Sequence, residues 1–132
     1  MAFEVKKHSK EEFYEIFSKW LDLHNFPRIN KEVLPENCFV VYKDDLPIYS
    51  FWVYYTDSKL MWIAFPASNK NVNYKKRIGG MEVLLEHIKQ YAKRKGIITL
   101  FTTSGTQSII ENLTNCGFEI GDTNVNHLTI KL

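Results

Sequence analysis

The chain has 132 residues, of which 45% are hydrophobic and 14% aromatic, and a formal net charge of +2. This is enough for one domain around a single core and excludes an intrinsically disordered chain. The basic residues are scattered rather than gathered in one stripe, which disfavours nucleic acid as the main partner.

"MAFEVKKHSKEE" carries no apolar run of signal-peptide length, and no stretch approaches the ~18 apolar residues of a membrane span, so a cytoplasmic protein without a membrane partner is expected. The basic residues are 14 Lys against 3 Arg, beside 10 Asn, a bias that an AT-rich bacterial or viral genome produces. Cys38 and Cys116 lie far apart with no CxxC partner, so two buried thiols are expected, with no metal site and no disulfide framework.

In chain order, residues 2–6, "AFEVK", alternate like a short strand. Ser9 followed by Glu12 forms a capping box, and Phe13, Ile16, Phe17, Trp20 and Leu21 then mark one apolar face of a helix that "HNFP" at 24–27 ends. "RINKEVLPEN" reads as a loop with a helical turn. "CFVVYKDDLPIYSFWVYY" reads as an antiparallel hairpin with the four-residue loop "DDLP", and "KLMWIAF" extends it as a third strand. The middle strand is apolar on both faces, with Ile48, Trp52 and Tyr54 on one and Tyr49, Phe51, Val53 and Tyr55 on the other, so it should be central and covered twice.

A polar loop, "PASNKNVN", leads to a helix whose stripe is Met81, Leu84, Leu85, Ile88 and Ala92, closed by Gly96. "IITLFTT", 97–103, is a buried strand. Ser104 with Gln107 caps a short helix carrying Ile109, Ile110 and Leu113; "CGFEIGD" ends it, and "VNHLTIKL" alternates as a last strand. The fold class is therefore α/β, with a mixed, mostly antiparallel sheet and helices on both faces. A strand, helix and strand across 59–103 imply a right-handed crossover.

"YKKRIGG", 74–80, puts Lys75, Lys76 and Arg77 at a helix N-terminus, an end that is already partially positive. If those residues were helical, Gly79 and Gly80 would be interior and would cost about 2 kcal/mol relative to alanine. A helix starting at the glycines instead exposes bare amides with no Cβ to block approach, and its dipole favours an anion by about 0.3 to 1 kcal/mol. A phosphate or pyrophosphate answers that arrangement. The alternative is a solvated basic run beside glycines that only turn the loop. Neither GxxxxGK(S/T) nor GxGxxG is present.

Residues 59–121 resemble the core of the GNAT superfamily of acyl-CoA N-acyltransferases. In that family a strand is followed by (Q/R)xxGx(G/A) opening a helix, whose amides hold the pyrophosphate of coenzyme A. Aligned on "LLEHI", Lys76, Arg77, Ile78, Gly79, Gly80 and Met81 fall on the motif; Gly79 matches it, Lys76 stands in for Arg or Gln, and Met81 replaces the last small residue. "AKRKGIITLFTT" and "NCGFEIGD" also resemble the family's helix end, next strand and "GF". The resemblance implies acetyl-CoA as co-substrate, an amine acceptor and no metal. It also implies a pantetheine arm paired with main-chain groups near Ile63 and Phe65, where two strands part. The acceptor site would be built by the first helix, the 25–36 loop and the hairpin.

Acetyl transfer needs a proton acceptor for the amine and help for the oxyanion and the thiolate. Many family members use a Glu or Asp near the strand before the loop and a Tyr four residues before the glycine of "GF". Here "KLMWIAF" holds no carboxylate and Leu113 occupies the second position, so no catalytic base is assigned. Tyr54, Tyr55, Tyr74, His87, His24, His127 and Cys116 each read more simply as core, rim, helix-end or surface residues. The other reading is a catalytically silent GNAT-like binding or assembly module.

Overall fold

The computed structural model describes residues 2–132. The capping box forms: the Ser9 side chain accepts from the Glu12 amide, and the Glu12 carboxylate accepts from the Ser9 amide. Strand β1, Phe3–Ser9, therefore stops where helix α1, Lys10–Leu23, begins. Of the expected stripe, Phe13, Phe17, Trp20 and Leu21 are buried, while Ile16 is exposed and Ser18 takes the inner position.

The loop after α1 carries the expected turn, a 3-10 helix at Lys31–Val33. Its carbonyls are held by side chains from elsewhere: Tyr14 Oη donates to Ile29 O (2.6 Å), Tyr54 Oη to Val33 O (2.6 Å) and Lys10 Nζ to Leu34 O (3.0 Å).

Strands β2, Asn37–Lys43, and β3, Leu46–Tyr55, form the hairpin, but its loop is two residues, not four. Asp44 and Asp45 both take positive φ, 53° and 64°, as a type I′ turn requires, and Leu46 and Pro47 already belong to β3. The face assignment of Ile48 is also corrected. Val41 pairs with Tyr49 while Tyr42 pairs with Pro47, so Ile48 is an extra residue, and it buries with Val41, Phe51 and Val53 rather than with Trp52.

Strand β4, Leu60–Ser68, runs three residues into the stretch expected to be loop. The short helix α2, Tyr74–Arg77, and the long helix α3, Gly80–Arg94, follow, then β5, Thr99–Phe101, and α4, Gln107–Asn115. The expected strand 97–103 is thus only three residues long. Helix α4 starts after Thr106 with no side-chain cap; the Ser104 hydroxyl accepts the Thr106 amide instead.

The sheet order is β1-β2-β3-β4-β5, antiparallel except for the parallel β4/β5 pair that the α3 crossover creates. One face packs under α3 and α4 around Phe51, Val53, Ile63, Leu84, Leu85, Ile88 and Leu113. The other packs under α1 around Phe13, Phe17 and Trp52, with Phe17 edge-on to Trp52 at 5.3 Å. No helix among the described residues is long and apolar enough to cross a membrane.

The expected last strand does not form. Among the described residues no strand follows α4, and Leu128 and Ile130 are 89% and 82% exposed. Alternation makes a strand only where a ladder is on offer, and β5 presents an outer edge of three residues. Cys38 is fully buried, but Cys116 is only half-buried.

Candidate functional site

The sheet opens at one corner. β4 and β5 pair through Leu60/Thr99, Met61/Leu100 and Trp62/Phe101, and there β5 ends. The next carbonyl of β4, Ile63 O, accepts a side-chain bond from Thr102 Oγ1 (2.6 Å) rather than a ladder bond. Two residues further on β4 bulges: Ser50 pairs with Ala67 and Trp52 with Ala64, so Phe65 and Pro66 together oppose Phe51, and Phe65 takes φ 51°. Ile63 and Phe65 thus stand at the start of the parting and at the kink.

Beyond β4 the chain makes the second part of the corner. Asn73 caps α2 by accepting the Lys76 amide (3.0 Å), so Lys75, Lys76 and Arg77 form a helical turn of their own. That turn stops at Ile78, Gly79 swings to φ 86°, and α3 restarts at Gly80 with no side-chain cap. The first-turn amides of α3 carry the partial positive charge of a 15-residue helix. The two glycines have different reasons. Gly79 needs a left-handed backbone; Gly80 is buried, where an added Cβ would lie 3.3 Å from both the Phe3 and Tyr49 rings.

These parts wall a cavity of about 550 Å³. Pro66, Ala67 and Ser68 supply its β4 wall, Arg77, Ile78, Gly79 and Met81 the helix corner, and Thr106, Ser108, Glu111 and Asn112 the α4 side. The structure does not gather all the expected residues. Lys76 and Gly80 stand outside the lining, as do the Ile63 and Phe65 side chains, and Lys75 and Lys76 are exposed. Arg77 alone of the three cations lines the cavity, and its Nε is buried with no hydrogen-bond partner. Beside it, burial pushes the Tyr49 phenol up while the Arg77 charge pulls it the other way.

Sequence reasoning missed Tyr49, Phe26 and the α4 residues as cavity residues, because no local signal ties them to Gly79. His24, expected as a helix-end cation, is the C-cap residue of α1 and also lines the cavity. Its ring stacks on Phe26 at 5.7 Å, and Nε2 lies 3.1 Å from both Ser68 O and Ser68 Oγ.

Of the other titratable candidates, Tyr54, Tyr55 and His87 have structural partners. The Tyr54 hydroxyl is bound to Val33, and Tyr55 meets Tyr91 hydroxyl to hydroxyl, which together with burial pushes the Tyr55 phenol up. His87 is not a free surface group: it packs on Phe39, where burial pulls its imidazole down. Burial raises the Cys116 thiol. Tyr74 is exposed at the cavity rim, and His127 lies in the exposed C-terminal stretch.

No protein-family model and no curated protein sequence matches the chain. Solved structures do. A putative N-acetyltransferase from Lactobacillus plantarum superposes with a TM-score of 0.74 at 14% identity, over 96% of this chain and 91% of that one. An aminoglycoside acetyltransferase from an uncultured soil metagenomic sample gives 0.70 at 15% identity, over 100% and 99%. A protein of unknown function from meticillin-resistant Staphylococcus aureus, a probable acetyltransferase, gives 0.66 at 17%, over 98% and 100%. The fold is that of the GNAT acetyltransferases. Within the GNAT fold, the parting of β4 from β5 and the glycine restart of α3 are consecutive features of one crossover. β4, Leu60–Ser68, holds no carboxylate, and Leu113 is buried in the core.

Proposed function

We propose that the chain is a single GNAT-like domain working in the cytoplasm as an N-acetyltransferase, moving an acetyl group from acetyl-CoA to an amine of a small molecule, peptide or protein. The carrying observation is the corner itself: a strand edge left free by β5 leads to an uncapped, glycine-started helix over one cavity that Arg77 also lines. A diphosphate suits that donor set. The α3 amides and the fixed charge of Arg77 would hold it. The free edge of β4 offers main-chain groups to an amide arm, with Ile63 O keeping a second lone pair beside the one that accepts from Thr102 Oγ1.

Acetyl-CoA supplies the activated carbonyl. The amine nitrogen forms the new C–N bond, the C–S bond breaks, and the proton lost by nitrogen balances the departing thiolate. Holding the two reactants in register can supply much of the acceleration without a dedicated side-chain base. Calorimetry with acetyl-CoA tests the reading. Saturable binding, weakened in Arg77→Ala, is expected; no heat and no thermal shift at millimolar ligand would count decisively against it.

A second reading, a catalytically silent GNAT-fold binding module, is favoured by Leu113 and the carboxylate-free β4. Turnover of acetyl-CoA with any member of an amine panel eliminates it.

A further inference from the structure

We infer that the acceptor amine carries an aromatic ring, and that this ring rests on a shelf of aromatic side chains beside the point where β4 and β5 part. This rests on the acetyl-CoA reading above. The shelf follows from strand register. Tyr54 of β3 pairs with Trp62 of β4, and Trp62 pairs with Phe101 of β5, so three adjacent strands present aromatic residues in one row. Their neighbours Val53, Met61, Ile63 and Leu100 pack in the core under α3, so by alternation the row lies on the other face of the sheet. That is the face α1 packs on, yet Tyr54, Trp62 and Phe101 belong to neither core, and Phe101 is 48% exposed.

Tyr54 and Trp62 stack at 4.8 Å with 23° between their planes, and Phe65 stands across both at 6.4 Å. The bond from the Tyr54 hydroxyl to Val33 O fixes one end of the row. The kink at Phe65 divides two surfaces: Phe65 joins the shelf, and the next residue, Pro66, lines the cavity. The row is also one residue from the parting. Ile63 follows Trp62, Thr102 follows Phe101, and those two share the side-chain bond that replaces the ladder (2.6 Å). A ring on the shelf thus lies about one strand residue, about 3.3 Å, from the free edge of β4, the span of a short aliphatic link to an amine. The chemistry of the row selects the ring. β4, β5 and residues 102–108 carry no charged side chain, so an acceptor read through several ammonium groups meets no carboxylate on these strands. A flat ring meets faces and edges to stack on. A half-buried, uncharged surface also favours the neutral amine, the form that attacks a thioester.

Acetyl-CoA turnover, read as released thiol, is compared for phenethylamine, butylamine and spermidine. The kcat/KM for phenethylamine should exceed that for butylamine by about tenfold. Phe101→Leu keeps the apolar bulk without the ring and should cut that ratio about threefold, while Phe101→Tyr keeps the ring and the ratio. A merely structural Phe101 would lower both amines together and leave the ratio alone. Equal values for phenethylamine and butylamine, a preference for spermidine, or a ratio that Phe101→Leu does not move overturns the inference. Should acetyl-CoA bind without turnover of any amine, calorimetry of the three amines against protein saturated with coenzyme A decides: tighter binding of phenethylamine supports the shelf, and equal or absent binding overturns it. Failure of wild type to bind acetyl-CoA is a different result, which removes the acetyl-CoA reading and this inference with it; the other outcomes leave that reading standing.

Discussion

Replacing Gly79 by alanine tests how the corner is built, because two descriptions of residues 74–94 predict opposite signs. With α2 and α3 separated by a left-handed residue at φ 86°, an alanine there is strained by about 1 to 2 kcal/mol. The space around it adds little, since the new Cβ would sit 3.5 Å from Phe3 Cε2, an ordinary contact. In one continuous helix the same change would stabilise by about 1 kcal/mol. Gly96→Ala is the internal control: it has φ 78° and nothing within 4 Å of its Cβ position, so it reports the backbone cost alone. For a chain of this length each kcal/mol moves the melting temperature by roughly 3 to 5 °C, so both variants should melt about 3 to 10 °C lower. Differential scanning calorimetry and urea titration measure it. A Gly79→Ala protein that melts at or above wild type, beside a Gly96→Ala protein that does not, would refute the broken helix and with it the uncapped amides that the functional proposal uses.

Other changes probe other parts. Asp45→Gly puts the residue best suited to positive φ at the second turn position of the β2–β3 hairpin and should raise stability by about 0.5 to 1 kcal/mol in urea unfolding; a loss would mean that the turn is not the two-residue type. Ending the chain after Gly121 removes only exposed residues and should leave the urea midpoint within about 0.5 kcal/mol of wild type. A larger loss would show that the C-terminal stretch packs after all. Burial holds the Cys38 thiol well above its ordinary range, so the folded protein keeps a proton that the unfolded chain releases. Stability should therefore fall as pH rises above about 8.5, and Cys38→Ala should show a flatter decline between about pH 8 and pH 10. Identical slopes would contradict that linkage.

Features that depend on local chemistry were legible in the sequence. Ser9 and Glu12 announce α1, the β-branched and aromatic runs announce β2 to β4, and the glycines at 79 and 80 announce a late start for α3. Where a single inserted residue or a distant partner decides, pattern reading failed. Period-two alternation assumes an uninterrupted ladder, so the bulge at Ile48 reverses one face assignment, and the kink at Phe65 has no signature in composition. The strand signal in "VNHLTIKL" is genuine alternation with no long edge to receive it. The basic run showed which charges were near the glycines but not which of them reaches the site, because Asn73 winds Lys75 to Arg77 into a separate turn and only Arg77 lines the cavity. Tyr49, His24 and α4 reach that cavity from distant parts of the chain, through the sheet and the crossover rather than through any neighbour in the chain.

The stretch between α1 and β2 is stapled at three carbonyls by Tyr14, Tyr54 and Lys10, two of them rigid phenols rooted in other elements. Its outline is thus cast before any visitor arrives. The segment therefore has little conformational freedom left to lose, and any contact made on it would meet a set contour rather than a flap.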